Sequence, residues 1–474
     1  MKLDHLLRQI VEVRPERVWV VGGAVRDRLL GREAKDLDLV IADIASPLLD
    51  PHHWRQQGVA AFWLDEQRHI VRLELAGETL DLAAMEGDDL ASDLARRDFT
   101  VNAMASRLAD WLVADGADPI DPYQGQADLL ARRLRLVQPD GMAADPVRIL
   151  RAGRFQAQLD LRPDTATVSA IAAACPDLTK APAERVWAEL AELLRHQQAA
   201  QVLLELERWG VVMALFPEVM AMKRVGQNQH HQFTVDVHSE RAFAAYVDVI
   251  HQGRYLPDSV RSFVAAYWQD LQPAEQAALM LAAWLHDIGK PQTRMVRDGK
   301  VTFYEHEHVG ASMAESVAKR LKLSQTQTKL IHTFVTYHMY PMQLWRTGRL
   351  DERLIHRLYR RTGRLGVAIV LFTLADHLAK GEQVGVSDEF RSHQQVVEQM
   401  LQAYFCRHEQ VVAPRPWLTG DEIAQTLGKP RGPWVGETKA ALLEAQAAGQ
   451  VNDRQQALQF VRQYTPRQKR QWRS

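Results

Sequence analysis

The chain has 474 residues, of which 46% are apolar and 25% charged, and its net charge at neutral pH is −1. This composition excludes a disordered or fibrous protein, and two cysteines are too few for a disulfide scaffold. The first ten residues, MKLDHLLRQI, lack the apolar stretch of a signal peptide, so we expect a cytoplasmic protein that does not contact membranes. The balanced charge still permits nucleic-acid binding through a local basic patch.

The first part of the chain, to about residue 115, predicts a mixed α/β unit. Short apolar runs indicate strands at 17–25, 38–42, 69–75 and 80–83. From about residue 125 onward the strand signals fade, and apolar residues recur at helical spacing in stretches such as VRILRAGRFQAQL and ERVWAELAELL. The predicted fold class is therefore α+β, with a small mixed α/β head followed by a mostly helical neck, body and tail.

Two glycines and three aspartates in the head form the first candidate site. Gly22 and Gly23 follow a strand, where bare backbone amides allow a phosphate to approach closely. Asp36 and Asp38 lie two residues apart, so on a strand both carboxylates point to one face, as suits Mg²⁺ with substrate phosphates. Asp81, on the strand-like TLDLA, is a further candidate. The alternative is a solvated edge strand with ordinary acidic residues.

The full pattern G-G-x-V-R-D-x-L-L-G-x-x-x-x-D-x-D resembles the nucleotidyltransferase head of class II tRNA nucleotidyltransferases (CCA-adding enzymes) and of bacterial poly(A) polymerases. RRDFTVNAMA at 96–105, ADPVRILRAGRF at 144–155 and the neck-helix sequence ERVWAEL at 184–190 extend the resemblance in the same order. The resemblance implies catalytic, Mg²⁺-binding roles for Asp36 and Asp38, with Asp81 as a third catalytic carboxylate. It implies nucleotide binding by Gly22, Gly23, Arg26, Arg97, Asp98, Asn102, Asp145, Arg148, Arg151 and Arg154.

Base selection falls, by this resemblance, to Asp145 and Arg148, which we predict on one face of a helix. Two departures from the family pattern bear on it. Ala144 stands where the family usually has a glutamate, and only about fifteen residues separate Asp81 from Arg97, where members that add the full CCA usually have a longer flexible loop. A single pocket must reorient to serve two bases, and a mobile segment can drive such a change. We therefore predict addition of the two cytidines only, with full CCA addition as the alternative.

A second candidate site is a series of histidines and aspartates: His238, His286, Asp287, His306, His338 and Asp376. A lone histidine on a helix is more often a packed residue than a ligand, but this ordered set resembles the HD phosphohydrolase superfamily. His306 fits the family pattern better than His308. The resemblance implies a divalent transition metal or Mg²⁺ that activates water for phosphoester hydrolysis. Lys290 is either a substrate-phosphate contact or an ordinary helix-end lysine.

The resemblance also supplies domain limits and partners. The expected domains are a nucleotidyltransferase head at 1–125, a helical neck with the base-recognition helix at 126–225, an HD body at 226–405 and a helical tail at 406–474. The expected partners are CTP, ATP and the acceptor arm and 3′ end of tRNA. The rivals are a poly(A) polymerase, an HD phosphohydrolase whose head only binds RNA, and a non-catalytic RNA-binding scaffold.

A basic strip beside the head is the predicted RNA contact. Its arginines are Arg132, Arg133, Arg135, Arg148, Arg151 and Arg154. Phosphate contacts of this kind would be salt-dependent and independent of sequence. The alternative is a solvated helix face.

Overall fold

The computed structural model describes residues 3–13, 17–34, 36–75, 77–113, 118–227, 232–348, 350–381, 384 and 387–464. The chain divides into two compact units. The head unit comprises Met1–Glu189 and Glu205–Leu215, and the body unit comprises Leu190–Leu204 and Phe216–Ser474. The α+β fold class is confirmed, with a mixed sheet followed by helices. The finer limits predicted for neck and tail stay a prediction.

The head unit is built on one six-stranded sheet of order β3-β4-β5-β2-β1-β6, in which only β2 and β5 pair in parallel. Its strands are β1 Val18–Val21, β2 Asp36–Ile41, β3 Ala60–Asp65, β4 Ile70–Leu75, β5 Glu78–Ala84 and β6 Ala105–Arg107. A two-residue pair, β7 Arg133–Leu134 and β8 Arg162–Pro163, follows. The predicted strands did not include β3 and β6.

Strand β2 lies inside the sheet, between β1 and β5. Leu37 and Leu39 are buried on one of its faces, whereas Asp36 and Asp38 are exposed on the other. The alternation of two faces along a strand thus explains the charges within the apolar run, as predicted. The alternative of an edge strand is wrong.

Twelve α-helices lie among the described residues that precede Phe216. They are α1 Leu3–Val13, α2 Gly23–Leu29, α3 Pro51–Gln56, α4 Leu90–Ala95, α5 Leu108–Trp111, α6 Gly125–Leu130, α7 Gly141–Ala144, α8 Arg148–Leu159, α9 Thr165–Ala174, α10 Ala183–Leu194, α11 Ala199–Arg208 and α12 Val211–Leu215. The strand predicted over 17–25 is too long, because β1 ends at Val21 and α2 begins at Gly23. Gly22 makes the break with a φ of +74°, a backbone conformation that favours glycine.

Among the described residues of the body unit, the regular structure is helical apart from the hairpin β9 Met295–Arg297 and β10 Lys300–Thr302. Its helices are α13 Pro217–Met220, α14 Val235–Gln252, α15 Asp258–Asp270, α16 Pro273–Trp284, α17 Lys290–Thr293, α18 His306–Arg320, α19 Gln325–Tyr337, α20 Tyr340–Arg346, α21 Glu352–Thr362, α22 Leu365–Leu378, α23 Asp388–Cys406, α24 Gly420–Leu427, α25 Pro433–Ala447 and α26 Arg454–Gln463.

The core of the body unit includes α16 and α22. Every residue from Ala277 to Trp284 and from Gly366 to His377 is buried, so both helices are apolar on nearly all sides. Helices α24 to α26 pack around their own apolar cluster, which includes Leu418 and Leu442. Within the described residues, no helix has both the length and the apolar character needed to cross a membrane.

Candidate active sites

The pairing of β2 with β5 assembles the carboxylates of the head. Asp38 lies opposite Asp81 and Asp36 opposite Thr79 in the parallel register. The Thr79 hydroxyl donates to Oδ1 of Asp36 at 2.5 Å. The two aspartates of β2 therefore share one sheet face, and Asp81 lies beside them on the next strand.

Arg72 is a residue of this site that the sequence analysis missed. It lies opposite Asp81 in the β4–β5 pairing, and its Nε and Nη2 donate to Oδ1 and Oδ2 of Asp81, each at 2.8 Å. The hydrogen bonds that Arg72 donates to Asp81 raise the pKa of Arg72 above its ordinary value. The carboxylate of Asp81 is thus held in a bidentate ion pair. The available signal was a charged residue within the apolar run HIVRLEL.

The electrostatics around Asp38 fit a divalent cation. Loss of water around its carboxylate, together with the charges of Asp81 and Asp36, raises its pKa above the ordinary value, although Arg97 and Arg72 oppose the shift. Carboxylate oxygens are the ligands that Mg²⁺ prefers, and a bound cation would offset this repulsion. Among the described residues, however, the carboxylates of Asp36, Asp38 and Asp81 do not form a converging group of three ligands.

The glycine pair makes room for arginines. A Cβ atom on Gly22 would lie 2.6 Å from Nη1 of Arg97, and one on Gly23 would lie 3.4 Å from Nη2 of Arg26. The amide of Gly22 donates to the carbonyl of Met104 at 3.1 Å, which fixes the turn against the start of β6. The sequence predicted an approach to phosphate at this turn, and the structure adds that two guanidinium groups pack against it.

A chain of buried hydrogen bonds links the next motif residues. Nη1 of Arg26 donates to Oδ1 of Asn102 at 2.7 Å, and Nδ2 of Asn102 donates to Oδ1 of Asp98 at 2.9 Å. Nη1 of Arg151 donates to the other oxygen of Asp98 at 2.9 Å. Burial alone would raise the pKa of Asp98, but the charge and hydrogen bond of Arg151 outweigh it and lower the pKa. Asp98 is therefore a buried, charged carboxylate that connects Asn102 with Arg151.

Glu189 on α10 extends this network, and the sequence analysis did not assign it a role. Its two oxygens accept from Nε of Arg151 at 2.9 Å and from Nε of Arg154 at 2.7 Å. Burial alone would lower the pKa of Arg151, but the charges of Asp98 and Glu189 raise it. Both arginines are thus held by protein carboxylates, and their role in nucleotide binding stays a prediction.

Asp145 and Arg148 do not share a helix, so that part of the prediction is wrong. Asp145 has extended backbone angles after α7, and α8 begins only at Arg148. Oδ2 of Asp145 accepts from Nη2 of Arg185 at 2.7 Å. Arg148 instead donates from Nη2 to the carbonyl of Arg96 at 2.8 Å and from Nη1 to that of Arg97 at 3.5 Å. Asp145 and Arg148 are thus held by different partners, and their role in base selection stays a prediction.

Hydrogen bonds and ion pairs hold the segment that precedes Arg97. Asp89 caps α4 by accepting from the Ser92 amide at 2.8 Å. Glu86 forms ion pairs with Arg68 at 3.2 Å and with Arg96, and its amide donates to Asp93 at 3.0 Å. The short segment identified in the sequence is therefore fixed at both ends.

Three arginines of the predicted RNA strip also have carboxylate partners. Nε of Arg133 and of Arg135 donate to the buried Asp128 at 2.6 and 2.9 Å, and Arg132 pairs with Asp160. Side chains that neutralise a buried carboxylate are structural. Their contact with RNA stays a prediction.

The second site brings all six predicted ligands together in the body unit. His238, His286 and Asp376 form one group whose ligand atoms lie within 4.8 Å of one another. Asp287, His306 and His338 form the other, and all six residues are buried. His308 belongs to neither group, so the choice of His306 over His308 agrees with the geometry.

The imidazole rings are oriented for ligation. Nδ1 of His286, His306 and His338 each contacts the carbonyl oxygen three residues earlier, at 2.9, 2.9 and 2.7 Å. The Nε2 atoms of the same three rings are buried and make no aligned hydrogen bond, and those of His286 and His306 face the carboxylate of Asp287. A carbonyl bond on one ring nitrogen with the other left bare is the arrangement of metal-ligating histidines. These residues therefore fit a divalent metal.

Asp287 lies at the centre of the second site. Its Oδ2 is 2.5 Å from Nζ of Lys290 and 3.1 Å from Nε2 of His286, and its Oδ1 is 3.3 Å from Nε2 of His306. Burial alone would raise its pKa, but the charges of His286 and Lys290 lower it well below the ordinary value. Asp287 is thus a charged carboxylate, as metal binding requires.

A close backbone approach joins the two ligand-bearing elements here. A Cβ atom on Gly289 would lie 2.3 Å from the carbonyl oxygen of His306 and 2.5 Å from the amide nitrogen of Gly310. Only glycine permits this distance. The contact holds His306 beside Asp287.

We expect Gly289→Ala to lower the affinity for Mn²⁺ or Ni²⁺, because the added methyl group displaces α18 and with it His306. Metal titration followed by calorimetry measures the change, and about a tenfold loss is expected for a displaced ligand shell. Gly436→Ala is the control, since a Cβ atom there meets no atom within 4 Å. Equal affinities for the two variants would contradict the assignment.

We expect Arg151→Met to destabilise the protein by about 3 kcal/mol at neutral pH, because it leaves the buried Asp98 without its cation. The pKa of Asp98 is lowered by folding, so this stabilisation is present above about pH 4 and is lost as the pH falls. The difference between variant and wild type should therefore shrink in acid. Urea unfolding at several pH values measures it, with the exposed pair of Arg208 and Glu205 removed by Arg208→Met as control. A loss that stays constant with pH would contradict the role of Asp98.

Three family models match the chain in order. They describe a "Poly A polymerase head domain" at residues 18–135, a "Probable RNA and SrmB- binding site of polymerase A" at 160–223 and an "HD domain" at 259–381. The head match contains Asp36, Asp38 and Asp81, and the HD match contains every residue of the second site except His238.

Curated relatives match along nearly the whole chain. An A-adding tRNA nucleotidyltransferase of Deinococcus radiodurans is 34% identical, covering 95% of this chain and 96% of its own length. A CC-adding tRNA nucleotidyltransferase of Thermus thermophilus is 31% identical, covering 94% and 93%. The solved Thermotoga maritima CCA-adding enzyme complexed with tRNA has the same fold, with a TM-score of 0.62 at 19% identity over 97% of this chain and 94% of that one. The family resemblance is confirmed, and the chain belongs to the tRNA nucleotidyltransferases with a poly(A) polymerase-type head and an HD domain.

Proposed function

We propose that the chain adds nucleotides from CTP or ATP to the 3′ end of tRNA, without a nucleic-acid template and with Mg²⁺. The observation that carries this proposal is the single exposed face of β2, where Asp36 and Asp38 lie beside Asp81. An intact carboxylate face counts against a head that only binds RNA and against a non-catalytic scaffold. The relatives named above favour tRNA as substrate over poly(A) synthesis. A cytoplasmic location accompanies this substrate.

The protein residues have separate tasks in this reaction. Bound Mg²⁺ neutralises charge on the triphosphate and orients the reacting groups. Asp36 and Asp38 offer the oxygens for it, and Arg97 faces the same region from behind the glycine turn. Arg72 fixes the orientation of Asp81. Asp145 and Arg148 supply acceptor and donor groups for the edge of the incoming base.

The segment before Arg97 supports addition of only part of the CCA end. Its ion pairs at Glu86 and the hydrogen bonds of Arg148 to the Arg96 and Arg97 carbonyls favour one arrangement of the base-reading pair. Cytidine addition is the leading candidate, as the sequence predicts. Adenosine addition to an end that already carries CC is the second candidate, because the A-adding relative is 34% identical over nearly the full length.

The HD body has a second proposed activity, hydrolysis of a phosphoester with a divalent transition metal or Mg²⁺. The six buried ligands and the bare Nε2 atoms of three histidines support it. Imidazole-rich sites suit transition metals better than Mg²⁺. Lys290, which contacts Asp287 and donates to Gln227 at 2.7 Å, is positioned at the same site.

We expect the purified protein to add only part of the CCA end and then stop. The substrates are tRNA transcripts that end at the position before CCA, at C, and at CC, each with CTP and ATP together. Sequencing of the products should show growth to CC alone for a CC-adding enzyme, or growth of only the CC-ended transcript for an A-adding enzyme. Growth of the first transcript to CCA would contradict partial addition.

We expect Asp38→Asn and Asp287→Asn to separate the two activities. Asp38→Asn should slow nucleotide addition at least about 100-fold, because metal-assisted charge stabilisation is worth several kcal/mol, yet spare hydrolysis. Asp287→Asn should do the reverse. Each variant is the folding control for the other, and hydrolysis of p-nitrophenyl phosphate with Mn²⁺ or Ni²⁺ is the second readout. Near-normal addition by Asp38→Asn would overturn the head assignment.

A further inference from the structure

A cavity of about 240 Å³ adjoins the metal ligands of the body unit. The ligands Asp287, His306 and Asp376 form part of its wall, and three cationic residues, Lys290, Arg346 and Lys380, form another part. The cavity is therefore smaller than a typical pocket for a drug-sized ligand, which is about 300–1,000 Å³, and it admits only part of a larger phosphorylated molecule. A metal and three cationic side chains together offer more positive charge than a single phosphate group requires.

The fold places Lys380 one helical turn from a candidate metal ligand and Arg346 at the end of a helix that lines the same cavity. Lys380 follows α22 four residues after Asp376, which corresponds to roughly one turn, about 5–6 Å along the helix axis. Arg346 ends α20, four residues after Met342. Nζ of Lys380 lies 3.6 Å from Sδ of Met342, so the two cations share one region of the cavity.

Arg346 and Lys380 differ from Lys290 in their partners. Lys290 pairs with Asp287 at 2.5 Å, whereas no described carboxylate lies within ion-pair distance of Arg346 or Lys380. Burial lowers the pKa of Lys380, and the charges of Arg346 and Lys290 add to this shift, whereas the charges of Asp376 and Glu389 oppose it. Two like charges held together at a cavity wall are unfavourable unless an anion joins them.

We propose that the cavity binds a small phosphoester that carries a second phosphate group. The phosphate that is hydrolysed lies beside Asp287 and Lys290, and the second phosphate is bound by Arg346 and Lys380. This inference rests on the proposed phosphohydrolase function. It deepens that function by naming a bisphosphorylated substrate class, for example a nucleoside bisphosphate.

The reaction itself is a simple hydrolysis. The oxygen of a water molecule forms a bond to phosphorus, and the ester P–O bond breaks. The leaving alkoxide takes a proton derived from that water, which yields an alcohol and inorganic phosphate. The second phosphate group stays on the alcohol, so Arg346 and Lys380 bind substrate and one product alike.

The test compares adenosine 3′,5′-bisphosphate with adenosine 3′-monophosphate and adenosine 5′-monophosphate, using the full chain with Mn²⁺. We expect KM for the bisphosphate to be at least about tenfold lower than for either monophosphate, as a charge-assisted contact predicts. Lys380→Met and Arg346→Met should each raise KM for the bisphosphate about tenfold and leave the monophosphates unchanged. Lys380→Arg should retain the preference.

The matched control is Lys319→Met, which removes an exposed lysine whose Nζ pairs with Glu315 at 2.6 Å outside the cavity. An equal rise of KM for all three compounds would overturn the inference, because the cations would then bind the reacting phosphate itself. Equal wild-type KM values would also overturn it. If no compound is hydrolysed with any metal, the phosphohydrolase proposal fails. Calorimetric binding of the same compounds then decides the inference by itself, with equal affinities counting against it.

Discussion

The ion pair between Asp98 and Arg151 is the interaction on which the head arrangement depends. Asp98 is almost fully buried and accepts from Arg151, from Asn102 and from the amide of Phe99. Taking both charges out of water is costly, so the pair contributes little net stability compared with apolar packing. The main effect of the ion pair is to fix the position of one segment relative to another. It ties the segment that carries Arg97 to α8, and Arg148, three residues before Arg151 on that helix, then reaches the carbonyls of Arg96 and Arg97.

The two sites differ in the burial of their residues and in the donor atoms that they offer. In the head, Asp36 and Asp38 are exposed on an open sheet face, which leaves room for a triphosphate and an RNA end. In the body unit, the ligands are buried and the adjoining cavity is small. Oxygen donors suit Mg²⁺, and imidazole donors suit transition metals. One chain thus carries two candidate metal sites with different donor atoms, each within its own compact unit.

The sequence predicted what short-range periodicity and an ordered motif determine. The spacing of Asp36 and Asp38 on a strand placed both on one face, and the six HD ligands were identified in order. Contacts between distant residues were not predictable in this way. Arg72 reaches Asp81 only through the β4–β5 register, and Glu189 reaches Arg151 across 38 residues. Asp145 left the expected helix because its backbone is extended between α7 and α8.

Position 144 is an alanine rather than a glutamate, and in the structure other groups hold Arg148. The carbonyls at the end of α4 accept from Arg148, so backbone dipoles hold the arginine where the family pattern has a carboxylate. The carbonyls of Arg96 and Arg97 belong to a segment that is held by ion pairs. We propose that Asp145 and Arg148 therefore keep one arrangement.

The most direct test of that claim is the ratio of kcat/KM for CTP to kcat/KM for ATP, measured on tRNA transcripts that end before CCA, at C and at CC. With one arrangement, the preferred nucleotide stays the same whichever 3′ end is extended. A preference that switches from CTP to ATP when the transcript ends in CC would contradict the account.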